Sequence, residues 1–282
     1  MPASIPRPGL RALAADLARP VPGRRPLLWF AAAMLALAGA SAALMLADPR
    51  ILDGAPLWLK PLKFALSNAL FAVTIAWLLG FIPGRPRLAR RVGWALALGL
   101  TLENALIVLQ AARGVRSHFN TASPLDAAIV SLMFLAILIV MGFTVALAVA
   151  LLRQSLADPA LAWAIRSGLL ITIAGAFIGG IMTPPPTAAS IAAARAGRLP
   201  VMGSHTVGAP DGGPGIPLTH WSSAHGDLRV PHFLGLHAVQ LLPLLAWLLS
   251  RRGLPMRQRT RLIQTAAAAY RSHIAILLWP AL

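Results

Sequence analysis

The residues with chemistry to offer are few and unevenly placed. Glu103 is the only glutamate in the chain and lies with Asn104 inside a long apolar run, with Gln110 seven positions on. Seven residues is nearly two helical turns, so Glu103 and Gln110 share a helix face. A second polar set, Gln264, Tyr270, Arg271 and His273, interrupts the last apolar run, with Gln264 and Arg271 again seven apart. An unpaired ion near the centre of a bilayer costs at least about 2.5–3.5 kcal/mol, so Glu103 and Arg271 are expected to pair or to line a wet cavity. His237 and Gln240, helix neighbours three apart on the preceding run, reach a similar depth. Glu103, Arg271 and His237 are the candidate catalytic groups. Glu103 or His237 would transfer a proton or act as a ligand, and Arg271 would hold an anionic substrate group or keep Glu103 ionised. Gln110, His118, Asn120, Gln240, Tyr270 and His273 are expected to line the same pocket. A structural ion pair that only fixes helix contacts is the plainer account of Glu103 and Arg271.

The seven histidines, His118, His205, His220, His225, His232, His237 and His273, all fall toward one side of the chain's alternating apolar runs. Imidazole and carboxylate together suit a transition metal, and His205, Asp211, His232 and His237 are the expected ligands. The spacing from His220 to His237 matches no standard zinc box. Residues five apart on one helix point about 140° from each other, so His232 and His237 would need ligands from the preceding loop to complete a site. A b-type haem would instead need two axial histidines on facing helices, for which His237 and His273 are the candidates. The absence of cysteine removes disulfides, thiolate metal sites, iron–sulfur clusters and covalent haem attachment. Gly203-Ser204-His205-Thr206 lacks the strand-to-helix elbow of a nucleophilic serine, and the glycines from Gly208 to Gly215 match no phosphate-binding fingerprint.

These groups must be carried by membrane helices. Of the 282 residues, 57% are hydrophobic and 12% charged, where a soluble domain carries about a quarter charged. Apolar runs long enough to span a bilayer recur at about 27–46, 64–82, 92–112, 127–152, 161–182, 232–250 and 262–281. The expected fold is an all-α integral membrane protein, a bundle of about seven transmembrane helices over 27–282 behind a basic tail, 1–26. Ala40-Ser41-Ala42 loosely matches a signal-cleavage site, but the basic tail and the length of the run favour a retained first span. The net charge of +17 is distributed between the runs instead of striping a soluble domain, which argues for topology and against nucleic acid. Arg85, Arg87, Arg90, Arg91, Arg153, Arg251, Arg252 and Arg257 join the tail on one side, whereas Asp48, Asp53, Asp126, Asp211 and Asp227 lie on the other. The basic side is expected in the cytoplasm, with the N-terminus in and the C-terminus out. Gly175 and Gly179, four apart, allow close helix approach. The long Gly- and Pro-rich connection, 183–231, is expected to form a turn-built outward lid.

Three phrases, Trp58-Leu59-Lys60-Pro61-Leu62-Lys63-Phe64-Ala65-Leu66-Ser67, Arg116-Ser117-His118-Phe119-Asn120 and Gly226-Asp227-Leu228-Arg229-Val230-Pro231-His232-Phe233-Leu234-Gly235-Leu236-His237, resemble those of uncharacterised multi-pass membrane proteins of bacteria. That resemblance supports the span count and assigns no role to any residue; the expected location is a bacterial inner membrane. The residues themselves point to an outward pocket that binds a metal, a haem or a small polar or anionic ligand, in an enzyme or redox protein within the lipid bilayer. A proton- or ion-coupled carrier and a non-catalytic assembly or sensory component are the alternatives.

Overall fold

The computed structural model describes residues 10–183 and 203–279. A short helix, α1 (Leu10–Ala18), precedes seven long ones: α2 (Arg24–Ala47), α3 (Leu59–Leu78), α4 (Pro86–Ala112), α5 (Pro124–Leu152), α6 (Pro159–Ile181), α7 (Arg229–Ser250) and α8 (Met256–Leu278). Proline supplies the first turn of α4, α5 and α6, where its missing N–H is no loss. The side chains of Ser123 and Asp158 accept from the first free N–H groups of α5 and α6.

Six helices are long and apolar enough to cross a membrane: α2, α3 with the 3₁₀ turn Leu79–Phe81 that continues it, α4, α5, α6 and α7. Their bounds sit within a few residues of the apolar runs in the sequence. The expected seventh span corresponds to α8, whose Arg257, Arg259, Arg261 and Arg271 make it too polar to qualify on composition alone. It nevertheless lies lengthwise on the bundle. Near its start Arg259 Nη2 donates to Asp158 Oδ2 at 2.7 Å, and three turns on the Tyr270 hydroxyl donates to the Leu234 carbonyl at 2.6 Å.

Helices α2 and α3 pack together, α4 packs on α2, α3 and α5, and α6 packs on α7, with α8 in the groove beside them. The α6–α7 crossing is as close as two helices can come. A Cβ on Gly175 would stand 2.5 Å from Gly235 Cα, so both positions need hydrogen. Gly179 gives room one turn later to the His232 ring, 2.9 Å from its virtual Cβ. The two glycines that read as a packing motif therefore serve one crossing and one histidine.

One end of the bundle is covered by loops, here termed the lid end. The hairpin β1 (Ile51–Leu52) and β2 (Ala55–Pro56) turns at Asp53 and Gly54, both with positive φ, and Gly54 faces the Gly212 carbonyl. Strand β3 (Thr206–Val207) pairs antiparallel with β4 (Gly226–Asp227), and Gly215 bridges to Ser222. The part of the expected lid at 184–202 lies outside the described residues. Side-chain bonds tie the lid down: Arg116 Nη2 to Asp53 Oδ1 at 2.6 Å, Arg229 Nη2 to Asp227 Oδ2 at 2.6 Å, and Lys63 Nζ to the Thr219 carbonyl at 3.0 Å.

Because the Gly175–Gly235 contact is backbone on backbone, Gly235→Val should force α6 and α7 apart at a cost of about 1–3 kcal/mol. A lowered thermal unfolding midpoint in detergent is the expected result, and an unchanged midpoint would contradict the close crossing.

Candidate functional site

At the lid end the loop between α4 and α5 folds back into the bundle. Ser117, Phe119, Asn120 and Thr121 are buried there although none is helical. Irregular backbone at such a position is stable only when enclosed by protein. The fold-back carries His118 down to Glu103, with Nε2 3.8 Å from Oε1. Glu103 lies nearly five turns from the start of α4, is 5% exposed, and makes no hydrogen bond with any described residue.

No other acid in the described residues is left so. Asp48, Asp53, Asp126, Asp158, Asp211 and Asp227 each accept hydrogen bonds from an arginine or histidine side chain at 3.0 Å or less, and Asp16 lies 3.5 Å from Arg19. A buried carboxylate in such a grip is fixed, whereas Glu103 has an imidazole as its nearest charged or chargeable neighbour and senses Lys60 only at longer range.

Around this pair stand groups from three further elements. On α3, Lys60, Phe64 and Ser67 recur at helical spacing. The Phe64 ring lies 5.7 Å from the His118 ring, and Lys60 Nζ lies 5.8 Å from the Phe64 centroid. Ser67 Oγ is 3.0 Å from His237 Nε2 on α7. From the lid, His205 stacks on Phe119 at 5.1 Å, and Phe119 in turn meets His118 at 6.1 Å. His205 Nδ1 lies 3.0 Å from Asp211 Oδ2, which also accepts from the His205 backbone N–H. His232 Nδ1 donates to the Gly175 carbonyl at 2.8 Å, which leaves Nε2 as the free ring nitrogen.

Electrostatics bind these residues into one cluster. Burial pushes the His118 imidazole well below its ordinary value, and the charges of Lys60, His205 and His232 push the same way. Burial likewise lowers His205, opposed by its Asp211 hydrogen bond and aided by Lys60 and Arg229. Burial opposes ionisation of Asp211, but the His205 side chain and two backbone N–H groups outweigh it and hold the carboxyl below the usual range. Lys60 forms no ion pair with a described residue, and Lys63 contacts only a carbonyl. The cluster therefore holds two lysines and one glutamate that act on each other's charge through space without a contact ion pair among the described residues.

At about the depth of Glu103, buried amides remain open: Nδ2 of Asn68 and Oδ1 of Asn104 have no partner among the described residues, and Gln240 lies beside His237 on α7. At 1.5 Å per residue all three lie about 12–17 Å from the lid ends of their helices. Unsatisfied polar atoms at one depth are the usual sign of room for water or a ligand.

Several sequence expectations are corrected by this geometry. Arg271 does not meet Glu103. It is exposed and lines a groove of about 290 Å³ between α6 and α8 with Trp163, Ser167 and Gln264, because α8 packs on α6 and α7 while Glu103 belongs to α4. Gln110 shares the buried face of Glu103 but is spent elsewhere: its Nε2 donates to Asp126 Oδ1 at 2.9 Å and its Oε1 accepts from Arg113, which ties α4 to the start of α5. Asn120 shapes its own turn by accepting from the Ala122 N–H, and Tyr270 bonds to the Leu234 carbonyl. His273 is exposed beside the buried stripe of α8, so it does not face His237 as a haem-ligand pair would. Nor do His205, Asp211, His232 and His237 form one ligand set. His205 and Asp211 bond to each other, His232 to α6, and His237 to α3, and among the described residues no three such side chains assemble as a metal group.

Lys60 and Ser67 were legible only in part. Neither is among the residues expected from the sequence: lysine at the start of a span is common as an interfacial anchor whatever its function, and the spacing 60, 64, 67 is the signal that one face of α3 turns inward. No family model, curated protein or solved structure matches the chain, so the site is interpreted from its own geometry.

The depressed His118 and His205 values set a sign. A histidine held neutral in the folded state, with an unfolded value near about 6.5, costs stability as pH falls below that value, since the unfolded chain then binds more protons. Protection of the backbone amides at 116–122 and 203–207 from hydrogen exchange, taken relative to the intrinsic rate at each pH, should fall as pH is lowered from 7.5 to 5. His118→Gln should blunt the change at 116–122, and protection independent of pH would count against the buried imidazoles.

Proposed function

We propose that this chain is a multi-pass protein of a bacterial cytoplasmic membrane that binds a small anionic ligand at its lid end and exchanges a proton with it through Glu103 and His118. In this reading α8 is a seventh crossing segment, since it runs beside α6 and α7 from Arg259 to Tyr270. The lid end faces outward. Support comes from the arginines crowded at the opposite end, Arg85, Arg87, Arg90, Arg91, Arg153, Arg251 and Arg252, and from the five aspartates at the lid end.

The observation that carries the reading is the singular state of Glu103, the one acid in the described residues with neither a hydrogen bond nor an arginine partner, and with a neutral imidazole as its neighbour. Lys60 and Lys63, neither in a contact ion pair with a described residue, supply attraction for an anion. His118, with Nδ1 3.1 Å from Ser117 Oγ, presents Nε2 toward the carboxylate and can pass a proton between it and a bound group. Phe64, Phe119 and Phe233 keep the surroundings apolar, which strengthens each charge interaction.

A proton-coupled carrier is the second reading, favoured by the open amides of Asn68 and Asn104 and by Gln240, which bring further polar groups from α3, α4 and α7 to about the depth of Glu103. Net movement of the bound anion into sealed vesicles would select it over a site that only turns ligand over.

The test uses protein in nanodiscs with acetate and inorganic phosphate as probes. At least one is expected to raise the unfolding midpoint of the wild type and to bind with proton exchange, read from binding heats in two buffers of different ionisation enthalpy. Lys60→Met should remove the binding. Glu103→Gln should keep the binding and lose the proton exchange, and an unchanged proton count in that variant would refute the assignment.

A further inference from the structure

The exposed flank of α8 bears polar residues at a regular interval. Arg257, Gln264 and Arg271 lie seven apart, as do Arg261, Ala268 and Ala275, and all six are exposed. At 100° per residue these positions form one lane, set off from the buried stripe of Arg259, Ile263, Ala267 and Tyr270. Seven-residue spacing with small residues in the second row is the pattern that lets another helix lie close alongside.

The lane opens into the groove of about 290 Å³ between α6 and α8, walled by Trp163, Leu170, Ile171 and Ala267 and carrying the polar groups of Ser167, Gln264 and Arg271. Arg271 stands fifteen residues into α8, about 22 Å along its axis, and a helical side chain leans back toward the helix start. Its guanidinium therefore falls at mid-membrane depth and has no ion pair with any described residue. A cation there is stable only against a compensating group. Lipid phosphates lie at the surface and not at this depth. A second copy of the chain would bring arginine against arginine, its aspartates among the described residues are already engaged, and its Glu103 is buried inside the bundle at the lid end.

We infer that the α6–α8 face docks a transmembrane helix of a different protein, one that carries a carboxylate at mid-membrane to meet Arg271. The inference rests on α8 crossing the membrane as proposed above and is independent of the ligand assigned to the lid end.

The experiment places the full chain in vesicles of zwitterionic lipid and follows energy transfer to labelled Leu/Ala transmembrane peptides that bear a central Asp, Asn or Leu, at pH 8. The Asp peptide is expected to associate at least tenfold more strongly than the Asn and Leu peptides, with that preference lost in Arg271→Leu and partly kept in Arg271→Lys. Equal association of all three peptides, or a preference that survives Arg271→Leu, overturns the proposal. So does abolition of the preference by 20 mol% anionic phosphatidylglycerol, which would make lipid the occupant, and so does self-association of the chain that depends on Arg271. Since the chain has no cysteine, Trp279→Cys labelled by an impermeant maleimide from outside intact cells reads the crossing of α8 separately. A crossing α8 without Asp preference sinks the docking inference alone, and a non-crossing α8 sinks both it and the seventh span.

Discussion

A polar group withdrawn from water must find a partner inside the protein, and this chain meets that requirement almost everywhere by the same device. Asp158 caps α6 and holds Arg259 of α8, Asp126 gathers Ser123, Gln110 and Arg113 where α4 meets α5, and Asp227 and Asp53 take Arg229 and Arg116 at the lid. Each such knot sits at a helix end and sets how neighbouring helices meet. Glu103 stands outside the scheme. It lies in the body of α4, and what reaches it is a histidine from a loop that leaves the surface to do so.

That loop, the lid and the α6–α7 crossing form one mechanical unit. Gly175 and Gly235 let α6 and α7 touch, and the Gly175 carbonyl accepts a hydrogen bond from His232 Nδ1. His205 packs on Phe119, Phe119 on His118, and His118 on Phe64, so aromatic contacts run unbroken from the lid to α3. Opening the lid would unstack His205 and expose the path to Lys60 and Glu103. The polar cluster and its cover are thus built from the same rings.

The apolar runs were legible because the bilayer imposes length and hydrophobicity on each segment by itself, before any neighbour is known. Hence α2 to α7 stand where the sequence places them, and α8 differs because its arginines face α6 at one end and the bundle flank elsewhere. The site was legible only where depth mattered. Glu103, His118, His205 and His237 come to one end of the bundle, as their positions along the runs imply. Pairing was not legible, since it depends on which helices are neighbours. Arg271 has the depth of Glu103 but stands on another wall, and Gln110 has its face but meets Asp126 first. Lys60 was hidden by its ordinary role at an interface, where lysine is common whatever the function.

The most direct measurement is a double-mutant cycle between Glu103 and His118 in nanodiscs at neutral pH, using Glu103→Gln, His118→Asn and the pair, read as unfolding free energy. Direct contact predicts a coupling of about 0.5 kcal/mol or more. Additive effects within experimental error would mean that the imidazole and the carboxylate do not sense each other, and the proton-exchanging site at the lid end would fall with them.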